Sequence, residues 1–204
     1  AAPNVGSHPV HTADNRPPHP SRTVLAMSAA LLFPPEIFVD QVLVMVRDSR
    51  VRIRGSVVPF HEHARQAAGL ARTEGASDAL VAAALLYGIG EILLRCWERH
   101  PSTCAVVTPS QAAVAHLSLH LPAGVTEPIR LLPKARVQLQ RDGGRGLLAT
   151  RHRQTFESEP NAAQAMELAL IDRRAGNGPM ITADLSDYRD LLAELCAQPA
   201  PALI

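Results

Sequence analysis

The sequence lacks an excess of charge of either sign. Its 20 Lys and Arg residues nearly balance its 19 Asp and Glu residues, which leaves a formal net charge of +1 at pH 7. A chain so close to neutral has no global field that would draw it to nucleic acid or to an anionic membrane surface. We therefore expect neither nucleic acid nor a membrane among its partners.

Cysteine is scarce, and its few copies are scattered. The chain has Cys96, Cys104 and Cys196, with no CxxC spacing. An odd and dispersed set of this kind fits neither a disulfide framework nor a structural zinc site. The cysteine pattern predicts a protein of the reducing cytoplasm.

The sequence also shows no long hydrophobic run. The apolar stretch at 25–33 is short and interrupted, whereas a membrane span needs roughly 20 apolar residues. The segment 1–20 is polar and proline-rich instead of basic and then apolar, so it does not resemble a signal peptide. We expect no membrane-spanning segment.

The first 26 residues differ in composition from the rest of the chain. They hold five prolines, which prevent a regular helix and leave little to bury: Pro3, Pro9, Pro17, Pro18 and Pro20. We expect a disordered N-terminal arm over 1–26. The remaining chain, 27–204, is long and apolar enough to form one domain with a substantial core.

Apolar residues recur at helical spacing after this arm. Phe38, Val42, Met45 and Val46 follow the i, i+4, i+7, i+8 pattern behind a Pro-Pro start. Further helices are predicted over 61–73, 78–86, 108–120, 162–174 and 186–197. The pattern predicts an all-α bundle of about six to eight helices.

Local signals also mark where these helices begin. Ser77 is placed to cap an apolar helix that we expect to be central and buried, and Thr108 with Gln111 forms a capping-box pattern. Thr126 is predicted to cap another helix, which Pro133 should kink or end. Strand-like alternation is short and isolated, at 51–58 and 137–140.

Four segments of the chain resemble the HD-domain metalloproteins. HEHARQAA at 61–68 and GASDALVAAALL at 75–86 are similar to the first half of that domain. VTEPIRL at 125–131 resembles a helix that supplies a metal histidine, and 160–175 resembles the helix with the closing aspartate. Within that family, the chain resembles most the small bacterial HD proteins, a branch that includes the phosphonate-cleaving mixed-valent di-iron oxygenases. The resemblance implies an HD-like helical bundle.

Most metal ligands of that family are missing at the matching positions. His63 stands where the first histidine belongs, and Asp172 matches the closing aspartate. The name-giving His-Asp pair falls on Tyr87 and Gly88. After Ile89-Gly90, Glu91 replaces a histidine that contacts substrate in the oxygenases. Two further metal histidines of the family fall on the following residues: Pro109 and Leu132.

Two ligands are too few for a conventional iron or hydrolytic centre, which needs several His and carboxylate groups that converge with open positions. The replacements by Gly, Pro and Leu also remove polar groups that would be costly to bury without a partner. We therefore expect no bound metal and no cofactor.

His63 and Asp172 allow two interpretations. His63 either makes a structural hydrogen bond to Asp172 or to a backbone carbonyl, or forms with Asp172 an oriented general base. Glu91 is the third candidate catalytic residue, as an acid with a raised pKa, although a solvated glutamate is the simpler interpretation. The candidate ligand-binding residues are Tyr87, His61 and Arg130.

Other histidines have weaker claims. His61 and His63 are two residues apart on a helix and do not share a face, so they cannot clamp a metal together. His116 and His120 have the metal-competent i, i+4 spacing, but no third ligand is near them in the sequence.

The resemblance and the ligand losses together predict a pseudoenzyme that binds a partner protein or a small ligand in the former active-site cavity. One alternative is a metal-independent enzyme that performs acid-base chemistry on a small, natural-product-like molecule. A weaker alternative is a residual metal-dependent oxygenase or phosphohydrolase. Fold likeness alone does not choose among them.

Overall fold

A computed structural model describes residues 34–52, 58–98, 107–141, 153–175 and 183–198 of the chain. All of them belong to one compact unit, Leu32–Ile204. The predicted arm at 1–26 lies outside the described residues, as does most of the predicted strand at 51–58. Both stay predictions.

The described residues form eight α-helices of nine residues or more, and none of them forms a strand. The helices are α1 (Pro35–Asp48), α2 (Phe60–Thr73), α3 (Asp78–Leu86), α4 (Ile89–Glu98), α5 (Pro109–Leu117), α6 (Ala123–Arg141), α7 (Ala162–Arg174) and α8 (Arg189–Ala197). A short helical turn at 153–157 precedes α7, and a 3-10 helix, Leu185–Tyr188, leads into α8. The predicted all-α bundle of six to eight helices is confirmed.

Several helix starts follow the signals in the sequence. Ser77 accepts a hydrogen bond from the backbone N–H of Leu80 at 3.3 Å, as a side-chain N-cap does. Thr108 and Gln111 form the expected capping box at the start of α5. Because these contacts link residues three apart, the sequence is sufficient to predict them.

The helix α3 lies at the centre of the bundle. It packs against α2, α6, α7 and α8, and its residues from Leu80 to Leu86 are all buried. A helix that is apolar on every face is stable only when neighbours cover it on all sides. The predicted central position of this helix is confirmed.

One segment, Asp78–Cys96, is long and apolar enough to cross a membrane by length and composition. It covers α3 and most of α4, has a mean hydropathy of 1.8 and is 61% buried inside the fold. The expectation that no apolar run approaches this length was wrong. A mostly buried core helix has the same composition, so this feature indicates neither a membrane protein nor its opposite.

Gly90 lets α4 and α5 approach each other at the level of their backbones. A Cβ at this position would lie 1.8 Å from the carbonyl oxygen of Pro109. No side chain fits in that gap, so glycine is required here by close packing. The contact fixes the start of α5 directly beside the start of α4.

The helix α6 corrects the predicted cap at Thr126 and the predicted strand at 137–140, and of the two outcomes predicted for Pro133, a kink or an end, it excludes the end. It begins at Ala123 and continues to Arg141, through both Pro128 and Pro133. Thr126 therefore lies inside the helix, where it is buried, instead of capping it. The residues 137–140, which alternate like a strand, are helical.

Tertiary packing explains why α6 passes Pro133. An interior proline removes one backbone hydrogen bond and bends a helix, at a cost of roughly 3 kcal/mol. Pro133 itself is exposed, while its neighbours Leu131 and Leu132 are buried in contacts that include α3, α5 and α7. Burial of such side chains is worth about 1.5–3 kcal/mol each, which is enough to offset the proline.

Two further helix ends differ from the predictions. The helix α5 ends at Leu117, and residues 118–120 form a turn in place of a longer helix. The last predicted helix begins with a 3-10 turn before α8. These shifts of a few residues are normal where helix ends fray into tighter turns.

Candidate functional site

Asp172, in the last turn of α7, is the centre of a group of polar side chains from four parts of the bundle. Its Oδ1 atom lies 2.7 Å from the hydroxyl of Tyr87 and 3.1 Å from Nε2 of His63. Its Oδ2 atom lies 2.9 Å from Nε of Arg136. Both carboxylate oxygens therefore accept hydrogen bonds. We call these four residues the Asp172 cluster.

Each member of the Asp172 cluster comes from a different element. His63 lies in the first turns of α2, Tyr87 directly follows the central helix α3, and Arg136 lies in the second half of α6. A carboxylate can only accept hydrogen bonds, so the His63 Nε2 that faces Asp172 carries a proton and donates it.

Aromatic rings enclose one side of the cluster. The ring of Tyr87 meets those of Phe60 and His63 edge-on, each with 6.2 Å between ring centroids. The guanidinium carbon of Arg136 lies 5.5 Å from the Tyr87 ring centroid. Edge-to-face rings and a cation over a ring face are favourable geometries. They hold Tyr87 with its hydroxyl directed at Asp172.

Exposure within the cluster increases from the rings to the guanidinium. His63 and Tyr87 are buried, the Asp172 side chain is 15% exposed and the Arg136 side chain 36%. Arg136 is therefore the member through which solvent or a ligand reaches the cluster.

The environment keeps Asp172 ionised. Burial by itself would raise the pKa of this carboxyl, but the hydrogen bond from His63, the charge of Arg136 and the hydrogen bond from Tyr87 outweigh it, and the net pKa is lowered. Burial, followed by the charge of Asp172, raises the pKa of the Tyr87 hydroxyl well above its ordinary value. The cluster thus combines an ionised carboxylate with two side-chain donors, the ring of His63 and the hydroxyl of Tyr87, and with the fixed positive charge of Arg136.

Three of the six candidate residues from the sequence lie together, because His63 and Tyr87 both meet Asp172. His63 makes the predicted contact with it, and Tyr87 joins them through its hydroxyl. These residues are separated from Asp172 by 109 and 85 positions in the chain. The positions matched by the HD resemblance therefore lie together in the folded chain.

The other three candidates lie outside the cluster. The Nδ1 atom of His61 is 2.9 Å from the backbone oxygen of Ser49, and this contact connects the start of α2 to the end of α1. Glu91 is partly exposed, and no hydrogen bond from its side chain to the cluster occurs among the described residues.

Arg130 belongs to a separate surface group of charges. Its guanidinium donates to Glu127 and Glu159, and Lys134 also binds Glu159. The hydrogen bond that Arg130 donates to Glu127 is the main reason that the pKa of Arg130 is raised. Arg130 is therefore occupied by carboxylates of this chain, away from the Asp172 cluster.

Arg136 is the cluster member that the sequence analysis missed. It falls between the predicted helix break at Pro133 and the predicted strand at 137–140. If the segment had been predicted as one continuous helix, Arg136 could have been identified from its spacing. It lies four residues after Leu132 and therefore shares its helix face. Leu132 is the position where the HD resemblance places a metal histidine.

The donor set does not fit the metal centre of the resembled family. Within the described ranges, no group of three or more His, Cys, Asp or Glu side chains is placed to hold a metal ion. His63 and Asp172 are hydrogen-bonded to each other, and Arg136 brings a positive charge to the carboxylate that a metal would need. A cation that coordinated both oxygens of this carboxylate would compete with three donors and with the positive charge of Arg136.

Comparison with known proteins adds no assignment. No protein-family model matches the chain. No curated protein matches it either.

Proposed function

We propose that this chain is a pseudoenzyme of the HD-domain type, which binds a small ligand or a partner protein at the Asp172 cluster without metal and without turnover. The observation that carries the proposal is that three side-chain donors already occupy most of the roughly four lone-pair sites of the Asp172 carboxylate. Both of its oxygens accept hydrogen bonds, and the donors are side chains of the same chain: His63, Tyr87 and Arg136.

Charge balance supports this proposal. A buried carboxylate without a counter-charge is strongly unfavourable, and in a metalloprotein the metal supplies that charge. Here Arg136 takes this role through its ion pair of 2.9 Å with Asp172. The arginine is fixed in a hydrogen bond of good geometry, so the carboxylate is stable without a metal.

The exposure of Arg136 gives the reason to expect binding at this place. Only its Nε atom is used in the hydrogen bond to Asp172, and a guanidinium carries five N–H donors. Since the side chain is 36% exposed, donors of Arg136 are available to a carboxylate, a phosphate or a carbonyl of a bound molecule.

A metal-independent enzyme is the second candidate. The specific observation in its favour is the distance of 3.1 Å between His63 and Asp172, the arrangement of an oriented general base. However, His63 is buried and Glu91 does not join the cluster. A base needs an exposed nitrogen within reach of a substrate, so the binding function is favoured.

The first test measures what the purified full-length protein carries. Protein from medium supplemented with iron and manganese is examined by elemental analysis and by native mass spectrometry. We expect well under one equivalent of either metal. We also expect a co-purifying small molecule or protein, and Arg136→Met should retain less of it. Stoichiometric iron that is lost in Asp172→Asn would refute the proposal.

A second test separates the binding protein from the enzyme. His63→Gln still donates a hydrogen bond to Asp172 but cannot act as a base near neutral pH. On the proposed function, this variant retains the co-purifying molecule at the wild-type level. If the chain is an enzyme, the variant folds normally and converts that molecule roughly 10²-fold more slowly.

A further inference from the structure

His116 and His120 lie four residues apart at the end of α5, and both face Phe38 of α1. The ring of His120 stacks on Phe38 with 4.2 Å between centroids, and that of His116 lies 5.8 Å away at a tilt of 44°. Phe38 is itself buried. One aromatic ring of α1 therefore touches two imidazoles of the α5 region.

The Nε2 atoms of both histidines are buried and have no hydrogen-bond partner among the described residues. An unpaired polar atom costs about 1–3 kcal/mol when it is buried, and an unpaired charge costs much more. The enclosed Nε2 atoms thus favour neutral imidazoles over imidazolium ions in this contact.

Among the described residues, no carboxylate forms a hydrogen bond or a salt bridge with either ring, and none contributes to the pKa of His116. On α1, Asp40 pairs with Arg189, and the charge of Glu36 adds to the burial that raises the pKa of Cys196. On α6, Glu127 pairs with Arg130. The other charged side chains described on α1, α4 and α6 form no hydrogen bond or salt bridge with either imidazole: Arg47, Asp48, Glu91, Arg95, Lys134 and Arg136.

The titration of His116 agrees with this geometry. Burial, and then the nearby His120, lower the pKa of His116, and no acidic group acts in the other direction. Two positive charges on these neighbouring rings, one in the last turn of α5 and one in the turn that follows, would also repel each other. Protonation therefore opposes the contact through both desolvation and repulsion.

We propose that the contact of His116 and His120 with Phe38, called here the Phe38 latch, holds the end of α5 on α1 while His116 is neutral and opens when His116 is protonated. A free histidine has a pKa of about 6.5. Because the open form binds protons more readily than the closed form, the latch is stable above about pH 6.5 and weakens as the pH falls below it.

Opening of the latch would act on the rest of the bundle through α4. The helix α5 packs on α4 at Gly90, three residues after Tyr87 of the Asp172 cluster. The latch is thus connected to the cluster through this backbone-to-backbone contact, and also through α6, which packs on α5 and carries Arg136.

A metal ion is a different occupant that the same two histidines could suggest. Imidazoles at i, i+4 suit Zn²⁺, but two ligands are not enough for a closed site, and the described residues offer no third ligand here. Enclosed Nε2 atoms also leave no space for the water molecules that would complete the coordination.

The test is hydrogen exchange of the full-length protein, followed by mass spectrometry at pH 7.5 and pH 5.5 and corrected for the intrinsic exchange rate. In the wild type, opening in peptides from α1 and α5 is expected to increase by up to about tenfold at pH 5.5 for protonation of His116 alone. Peptides from α3 and α7 serve as the internal reference. Unchanged protection of α1 and α5 at pH 5.5 would overturn the proposal.

Two variants sharpen this experiment. The double variant His116→Phe, His120→Phe keeps aromatic rings on Phe38 but cannot be protonated, so its α1 and α5 peptides are expected to lose the pH response. His61→Gln is the matched control, because His61 is a partly buried histidine outside the latch, and it should keep the response.

Two measurements on the wild type do not depend on how the double variant folds. In an NMR titration, the imidazole of His116 is expected to titrate below pH 6.5, and a midpoint above that value would contradict the latch. Zn²⁺ added at pH 7.5 is expected to leave exchange of α5 unchanged. Strong protection by Zn²⁺ that the double variant abolishes would show a metal site instead.

Discussion

Arg136 and Asp172, which are 36 positions apart, form an ion pair across α6 and α7 with 2.9 Å between Nε and Oδ2. The pair combines a side chain from the middle of the chain with the carboxylate at the end of the penultimate α-helix. It gives Asp172 a positive partner that belongs to the protein itself. The stability of the cluster therefore depends on a residue that carries no recognisable motif.

Replacing Arg136 by Met should destabilise the fold by about 1–2 kcal/mol. The substitution leaves Asp172 without its counter-charge. Because solvent screens the partly exposed guanidinium, we expect a smaller loss of stability than the roughly 3–5 kcal/mol that follows when a fully buried ion pair is broken. Urea unfolding measures the difference. Arg95→Met, on an exposed position of α4, is the control and should change stability by less than about 0.5 kcal/mol. Equal effects of the two changes would contradict the role of Arg136.

The two tyrosines of the chain provide a matched pair. Tyr87→Phe removes a donor to the Asp172 carboxylate and should cost about 1.5–3 kcal/mol. Tyr188→Phe removes a buried hydroxyl that has no hydrogen-bond partner in the described ranges, so it should be neutral or stabilising. Thermal and urea unfolding of both variants test whether Tyr87→Phe is the more destabilising change. A larger loss of stability in Tyr188→Phe would contradict the prediction.

The close contact of α4 and α5 predicts a steric effect at Gly90. The added methyl group in Gly90→Ala would meet the carbonyl of Pro109, so we expect a loss of about 1–3 kcal/mol or more. In Gly124→Ala the new Cβ would lie 3.3 Å from that of Ala79, which a small shift relieves. A tolerated Gly90→Ala in urea unfolding would mean that the two backbones can separate without loss.

Acid should weaken the Asp172 cluster in a defined direction. The pKa of Asp172 is lowered in the fold, so its contribution to stability is present above the ordinary value of about 3.9 and is lost as the pH falls through the folded value. Asp172→Asn cannot release or bind this proton. The stability difference between wild type and Asp172→Asn, measured by urea unfolding from pH 6 to pH 3, should therefore shrink toward low pH. A constant difference would indicate that the pKa of Asp172 is the same in the folded and the unfolded protein.

Much of the helical structure could be predicted from the sequence because its causes are local. The cap of Ser77 on α3 and the capping box of Thr108 involve residues three positions apart. The spacing of Phe38, Val42 and Val46 identifies the buried face of α1 in the same way. The contact of His63 with Asp172 was also expected, but from the likeness to a family and not from local chemistry.

The predictions about α6 failed because local preferences there point away from the real structure. Pro133 and the alternation at 137–140 favour a break and a strand, yet burial of Leu131 and Leu132 keeps the segment helical. Arg136 was missed as a direct consequence. A residue cannot be placed on a helix face when the helix is thought to end before it.

The sequence by itself determined that this chain is helical, where most of its helices lie and which of them is buried at the centre. The tertiary structure alone decided that Arg136 is the partner of Asp172, that Gly90 lies against Pro109, and that His116 and His120 share Phe38. Periodicity specifies which side of a helix is buried, because that depends on neighbours a few positions away. It does not specify which other helix covers that side, since this choice depends on how all the buried faces fit together.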